Sequence, residues 1–429
     1  MYLFVLFYYI ASLFNSKARK ITRGQRESLR LLLGKTTMPV PDIRGCIWFH
    51  AASVGEFEQA RPIIERLKRE QPERKVLITF FSCSGYEMRK DYPLADLVLY
   101  LPFATRRNAR LFIKAVQPEM ALFVKYEYWP AYLRELNKQN IKTYIIDAIY
   151  RERQPFFRWY GAPYRRLLRL FTILFVQDER SRELLDRYGI RNTIVAGDTR
   201  FDRVNAICQQ HKQIDILEYF VQPEVTPLTV VSAEFPMPLS PVMPSSQPRT
   251  KVIVAGSTWL PDEQLLERYV NKHTDVKLVL VPHELTDEHM HHIFNLFEGR
   301  FVRMSEANRN NLSLARVLLV DKMGLLSSIY QYATVAYVGG GFGVGIHNTI
   351  EPAVFGVPVL FGPNNKKFRE AQDMLERGAA FTFNNYTSFE KAMDEALLHS
   401  DDYGKRAGEY VQAELGAADT IYNATLSTK

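Results

Sequence analysis

This 429-residue sequence predicts two doubly wound α/β domains, each Rossmann-like and built on a parallel sheet. Short apolar, β-branched runs recur with helix-length amphipathic stretches between them, the pattern of strands covered on both faces by crossover helices. Two such series are separated by a proline-rich stretch, 223–250, without periodicity. The length also exceeds one compact core, so two domains of about 200 residues each are expected.

Residues 1–14, MYLFVLFYYIASLF, are almost wholly apolar and lead into Lys17, Arg19, Lys20, Arg23 and Arg26. The run falls short of the roughly 20 residues that cross a bilayer. A signal peptide would need a basic start and a small-residue cleavage site, and neither is present. The reading is an anchor over 1–20 that dips into the inner leaflet, its positive flank cytoplasmic. A first domain over 21–222 follows, with strand candidates CIWFHAA, VLITFF, DLVLYLPF, MALFVKY, TYIIDAIY, TILFVQ and NTIVAGD. Helical patterns fill the gaps, for example Arg106–Val116, Trp129–Gln139 and Glu179–Tyr188. Beyond the 223–250 linker, a second domain over 251–429 carries KVIVAGS, VKLVLVP, RFVRM, RVLLVD, VAYVGG, PVLFG and AAFTF. Its helices include Asp262–Lys272, Asp287–Phe297 and Leu325–Tyr332, and the last helical region, Asp402–Leu426, is able to pack back on the first domain. Two such halves imply a cleft between domains as the ligand site.

A composition of 47% hydrophobic and 24% charged residues excludes a disordered chain. Cys46, Cys83 and Cys208 are widely spaced, which argues for a reducing compartment without disulfides or a zinc ribbon. The net charge of +8 points to an anionic partner. Its basic residues gather at 17–30 and 151–169, interleaved with apolar and aromatic residues, which suits an anionic membrane surface better than a nucleic-acid groove.

Chemistry concentrates in the stretch 334–364. An apolar strand runs into Gly339, Gly340, Gly341, Gly343 and Gly345, and a helix is expected from His347 or Asn348, with Glu351 as capping partner. A strand, glycine loop and helix start together offer N–H groups to an anion. The spacing matches neither the dinucleotide fingerprint nor a P-loop. A tight turn would explain the glycines alone, but His347, Asn348 and Glu351 suit a nucleotide-linked sugar. In HAASVGE, Ser53 caps, Gly55 turns and Glu56 opens a helix at a strand's carboxyl end. Glu56 there either complements the helix dipole or serves as a general base. Glu127 lies among Tyr126, Tyr128 and Trp129, which either stack on a sugar or pack as core. Asp198, Arg200 and Asp202 follow another strand. Ser257 and Thr258 begin a helix with free N–H groups, and His283 ends a strand as a phosphate donor. His289, His291 and His292 read as a solvated helix face. With no Asp-x-Asp at a strand end of the first domain, no metal site is inferred.

The motifs HAASVGE, YEYWP, AGDTRFD, AGSTW, VPHE, DKMGLL, GIHNTIEP and FGVPVLFGP, in this order, resemble the Kdo (3-deoxy-D-manno-octulosonic acid) transferases of lipopolysaccharide assembly. The resemblance covers nearly the whole chain. It implies a GT-B fold, a monotopic enzyme on the cytoplasmic face of the inner membrane, CMP-Kdo as donor and a lipid A precursor (lipid IVA) as acceptor. It further implies inversion at the anomeric centre and no cofactor. By motif, Glu56 is the catalytic base, and Ser257, Thr258, His283, Met323, Gly324, Gly341, Asn348 and Glu351 form the donor site. Ser53, Gly55, Glu127 and Arg200 fall on the acceptor side. Lys125, Leu325 and Pro282 stand where the family motifs carry Glu, Glu and Arg. The alternatives are a GT-B enzyme using a UDP-sugar and a non-catalytic binding protein of the same shape.

Overall fold

A computed structural model describes residues 2–37, 39–210, 212–222 and 250–427; the proposed linker lies outside them except for Thr250. The chain forms two compact units, residues 1–203 with 414–429, and residues 204–413.

In the first unit the strands are β1 (Ile47–Ala51), β2 (Val76–Phe80), β3 (Leu97–Tyr100), β4 (Met120–Val124), β5 (Lys142–Ala148), β6 (Ile173–Val176) and β7 (Thr193–Val195). They form one sheet in the order β3-β2-β1-β4-β5-β6-β7, each pairing parallel. Alternate side chains enter opposite cores, as a period of two requires. Trp48, Leu77, Ala121 and Phe123 face one side; Ile47, Phe49, Ile78, Leu122 and Val124 face the other. The apolar runs are continuous in sequence because both faces are buried.

Ahead of the sheet, α1 (Tyr2–Phe14) leads into α2 (Ser16–Leu32), whose start is capped by the Asn15 side chain. The inward face of α2 carries Ala18, Ile21, Thr22, Gln25 and Ser28, and the Ser28 hydroxyl accepts the Tyr100 N–H of edge strand β3 at 3.1 Å. After β1, α3 (Val54–Glu70) buries Phe57, Ala60, Ile63, Ile64 and Leu67 on the sheet.

The second unit holds β8 (Lys251–Thr258), β9 (Val276–Pro282), β10 (Val302–Arg303), β11 (Val317–Leu319), β12 (Val335–Val338), β13 (Val359–Phe361) and β14 (Ala380–Thr382). Their order is β10-β11-β9-β8-β12-β13-β14, again all parallel.

The division between units differs from the expected one at 222/223. The helix Asp215–Phe220 buries Leu217 and Phe220 with Val252 and Val254, and Lys277 Nζ donates to the Phe220 carbonyl at 2.9 Å. That segment therefore belongs to the second unit. At the other end, the expected helical region 402–426 is two helices, Ser400–Ala413 and Ala417–Thr425, broken at Gly416 (φ +102°). The second of them buries Ala418, Ile421 and Tyr422 in the first unit's core. Asp202 caps it from a distance, accepting the Gly416 and Ala418 N–H groups at 2.8 and 2.9 Å. Asp202 is thus structural.

Candidate active site

In an open parallel sheet, ligands bind at the carboxyl ends of the strands where strand order reverses. In the first unit that point lies between β1 and β4. The loop after β1 carries Ser53 and Glu56, and the loop after β4 carries Lys125, Tyr126, Glu127 and Trp129.

Ser53 is the N-cap of α3, and Glu56 reaches back in a capping box, its Oε2 accepting the Ala52 and Ser53 N–H groups at 2.5 and 3.2 Å. Those bonds fix the carboxylate. Burial raises its pKa above the ordinary range, the Glu127 charge adds to the rise, and the two N–H bonds and His50 oppose it. Gly55 is not the turn residue expected: it lies inside the first turn of α3, and a Cβ there would meet nothing within 4 Å.

Glu127 is buried rather than open to a sugar. Its Oε2 accepts the Trp129 indole N–H at 2.6 Å and lies 2.9 Å from His50 Nε2. Tyr126, by contrast, is exposed and feels the charges of Arg151, Glu56 and Arg200. Arg200 is held by Asp198 through Nε and Nη2 at 2.8 and 2.7 Å. Asp198 stands beside a second buried carboxylate, Asp147, and the Lys125 charge acts on both.

In the second unit the reversal lies between β8 and β12, and again the motif loops flank it. Ser257 has φ +55° and is partly exposed. Thr258 does not offer its hydroxyl to a phosphate, because that group is buried and donates to Glu263 at 2.9 Å. The glycine loop after β12 is held by Asp262, whose Oδ2 accepts the Gly340 and Trp259 N–H groups at 3.0 and 2.9 Å. Gly340 needs its glycine for φ +90°. Gly341 serves packing, since a Cβ there would lie 2.5 Å from the Gly362 Cα.

The expected helix at 347 or 348 is a single turn, Ile350–Ala353, with Thr349 at its N-cap. Asn348 Oδ1 accepts the Ile350 N–H at 3.1 Å, and its Nδ2 donates to Glu351 Oε1 at 3.0 Å. Glu351 Oε2 accepts the Ser327 hydroxyl at 2.7 Å, which ties this turn to the short helix Leu326–Ile329 that follows Met323 and Gly324. Met323 is exposed, and Gly324 takes φ +79°. A helix this short contributes little dipole.

His283 lies exposed at the end of β9. Its ring stacks on His347 at 4.3 Å and tilts against Trp259 at 4.8 Å. Burial, then His283, lowers the His347 pKa. His289 corrects the reading of a solvated face: its Nε2 is 2.9 Å from buried Glu263, and its ring stacks on Trp259. His291 and His292 are exposed. Among the described residues, no His/Cys/Asp/Glu group is arranged to hold a metal ion.

Residues 23–203 match the family profile described as 3-deoxy-D-manno-octulosonic-acid transferase (kdotransferase). A 3-deoxy-D-manno-octulosonic acid transferase of Aquifex aeolicus is 25% identical over 364 residues, covering 82% of this chain and 86% of the relative. One of Haemophilus influenzae is 27% identical over 391 residues, covering 87% and 83%. Over most of its length the chain is similar to Kdo transferases. Its fold is GT-B: a UDP-GlcNAc 2-epimerase structure from Neisseria meningitidis superposes with a TM-score of 0.60 at 17% identity, covering 89% of this chain and 99% of that one. The candidate site also holds residues that sequence reasoning did not single out. His50 lies inside the HAASVGE motif, yet its partners Thr79 and Glu127 are 29 and 77 residues away. Asp262 holds Gly340 from 78 residues away. A polar residue inside an otherwise apolar strand is the one signal that could have marked His50, and the polar helix start around Asp262 offers no such contrast.

Proposed function

We propose that the chain transfers Kdo from CMP-Kdo to a hydroxyl of a lipid A precursor, with Glu56 as general base. The observation that carries the role is the Glu56 carboxylate, fixed by two backbone N–H bonds to Oε2 at the carboxyl end of β1 and raised in pKa by burial. That arrangement leaves Oε1 to take the acceptor's proton, and the raised pKa brings its basicity nearer neutral pH. As the proton moves to Glu56, the hydroxyl oxygen bonds to the anomeric carbon from the face opposite the phosphate, and CMP leaves with the electrons of the broken C–O bond. Backbone N–H groups of the glycine loop, with Ser257 and His283, suit the departing phosphate. The Asn348–Glu351 pair suits a ribose hydroxyl pair.

The acceptor and location belong to the same reading. Leu6, Phe7, Ile10, Leu13 and Phe14 of α1 are exposed, although no helix among the described residues is long and apolar enough to cross a membrane. An apolar helix followed by the basic residues of α2 suits an interfacial position on the cytoplasmic face of the inner membrane.

The test is Glu56→Gln assayed with CMP-Kdo and lipid IVA. Turnover is expected to fall by about two orders of magnitude or more while CMP binding persists. Unchanged turnover would remove Glu56 from the mechanism, and transfer from UDP-sugars in place of CMP-Kdo would overturn the donor.

A further inference from the structure

Beside the edge of the first unit's sheet, α2 and the helix Arg106–Val116 line a cavity of about 440 Å³. Its inner side is apolar: Phe103, in the segment after β3, is buried, and Leu29 and Leu111 are half-buried. Tyr9 of α1 closes the cavity, its ring centroid 5.8 Å from that of Phe103. The exposed side is cationic, made by Arg26, Arg30, Lys35 and Arg107. No carboxylate lines the cavity, and among the described residues none of these four cations forms an ion pair.

Local electrostatics does not favour that placement. Arg26 and Arg30 are like charges one turn apart on α2, where such pairs repel. Arg107 stands in the first turn of its helix, which holds no acidic residue and whose dipole disfavours a cation. An anion in the cavity would offset both effects. Gln25 is a second, independent sign of a ligand. It lines the same cavity at 1% exposure, and neither its Nε2 nor its Oε1 has a hydrogen-bond partner among the described residues. Buried amides are almost always paired, because an unpaired one keeps its full desolvation cost.

We propose that this cavity binds one anionic glycerophospholipid drawn from the bilayer around α1. The phosphate meets the four cations, an ester carbonyl accepts from Gln25 Nε2, and the start of an acyl chain lies on Phe103, Leu29 and Leu111. The groups of such a lipid run from charged to polar to apolar, as the cavity does from its exposed to its inner side. The bilayer is the source because Tyr9 belongs to the helix that exposes Leu6, Phe7 and Ile10. For the same reason the site is lost when α1 is deleted. The site takes up the interfacial position proposed for α1 but is tested without a bilayer, so each can fail alone.

The test is native mass spectrometry of the full chain, released from nonionic detergent, with phosphatidylglycerol or phosphatidylcholine of identical chains. One phosphatidylglycerol per chain is expected, with a Kd about ten-fold or more below that of phosphatidylcholine. The double variant Arg30→Gln, Arg107→Gln, at exposed positions, should bring the two lipids to the same weak affinity. Gln25→Leu replaces an unpaired buried amide by an apolar side chain of similar size, so it should hold or raise the unfolding temperature while weakening phosphatidylglycerol binding. Equal affinity for both lipids in the unmodified protein, or unchanged binding in Gln25→Leu, would overturn the site. Displacement of the lipid by inorganic phosphate at equal concentration would reduce it to a site for a free anion. Displacement by lipid IVA, with phosphatidylglycerol raising KM for that acceptor, would assign the cavity to the acceptor and overturn the phospholipid.

Discussion

Asp147 lies in β5 with φ +54°, a left-handed conformation uncommon outside glycine, and its carboxylate is fully buried. Burial, then the neighbouring Asp198, pushes its pKa up to about 7, against the pull of the Thr199 N–H and hydroxyl and of Lys125. A group whose folded pKa is raised binds protons more tightly in the folded state. Its stabilisation is complete below the unfolded value near 4 and is lost as pH rises through about 7, at on the order of 1.4 kcal/mol per unit. Asp198 has the opposite shift, held down by Arg200, so its contribution is lost only below about 4. Urea unfolding of the unmodified protein should therefore show falling stability from pH 4 to 7, and Asp147→Asn should flatten that slope. An equal slope in both would refute the assignment. Residues such as Glu56 and the Asn348–Glu351 pair were legible because their partners lie within four positions. Asp147, His50 and Asp262 were not, because what defines each is a partner across the sheet.

At the scale of elements, apolar runs located every strand of both sheets, because parallel strands buried on two faces are mostly apolar, with few polar residues such as His50 and Asp147 among them. Short polar elements were less legible. The one-turn helix at 350–353 begins later than its capping pattern suggests, because the Asn348 side chain bonds the Ile350 N–H and the Glu351 carboxylate in a tight turn ahead of it. The basic segment 151–169 also changes character. Phe156, Phe157 and Leu168 turn into the core, and Arg165 donates to the Phe156 carbonyl at 2.6 Å. Trp159, Tyr160, Tyr164, Arg158 and Arg166 remain exposed as the candidate lipid surface. Deleting residues 1–14 is expected to weaken binding to anionic vesicles while leaving a salt-sensitive remainder, each basic residue contributing on the order of 1 kcal/mol. Adding Trp159→Ala, Arg158→Gln and Arg166→Gln should abolish that remainder and raise KM for the lipid acceptor alone. Equal sedimentation of the two truncated proteins would exclude this face.

Across the whole molecule, the two-unit plan was legible from the two alternating series, but its first seam was not. No local pattern announces that Asp215–Phe220 serves the second core, whereas a return of the last helix to the first was among the expectations. Polar groups anchor both, the buried Lys277 for one and the half-buried Asp202 for the other. Ile421 is fully buried in the first unit's core, and Ile421→Ala should cost about 2–5 kcal/mol. Because the helix belongs to that unit, the loss should appear in its unfolding transition, followed by hydrogen exchange of β1 and β4, with β8 and β12 unaffected. Equal loss in both sheets would contradict the assignment.

The Ser28 hydroxyl that accepts the Tyr100 N–H has a practical corollary. Strand β3 is the outer rim of its sheet, and α2 is what keeps that rim from pairing with another chain. Trimming the protein for solubility therefore has a limit near residue 15. A cut that removes α1 sheds exposed apolar surface, whereas one that also removes α2 trades a greasy helix for a naked ladder and favours aggregation over recovery.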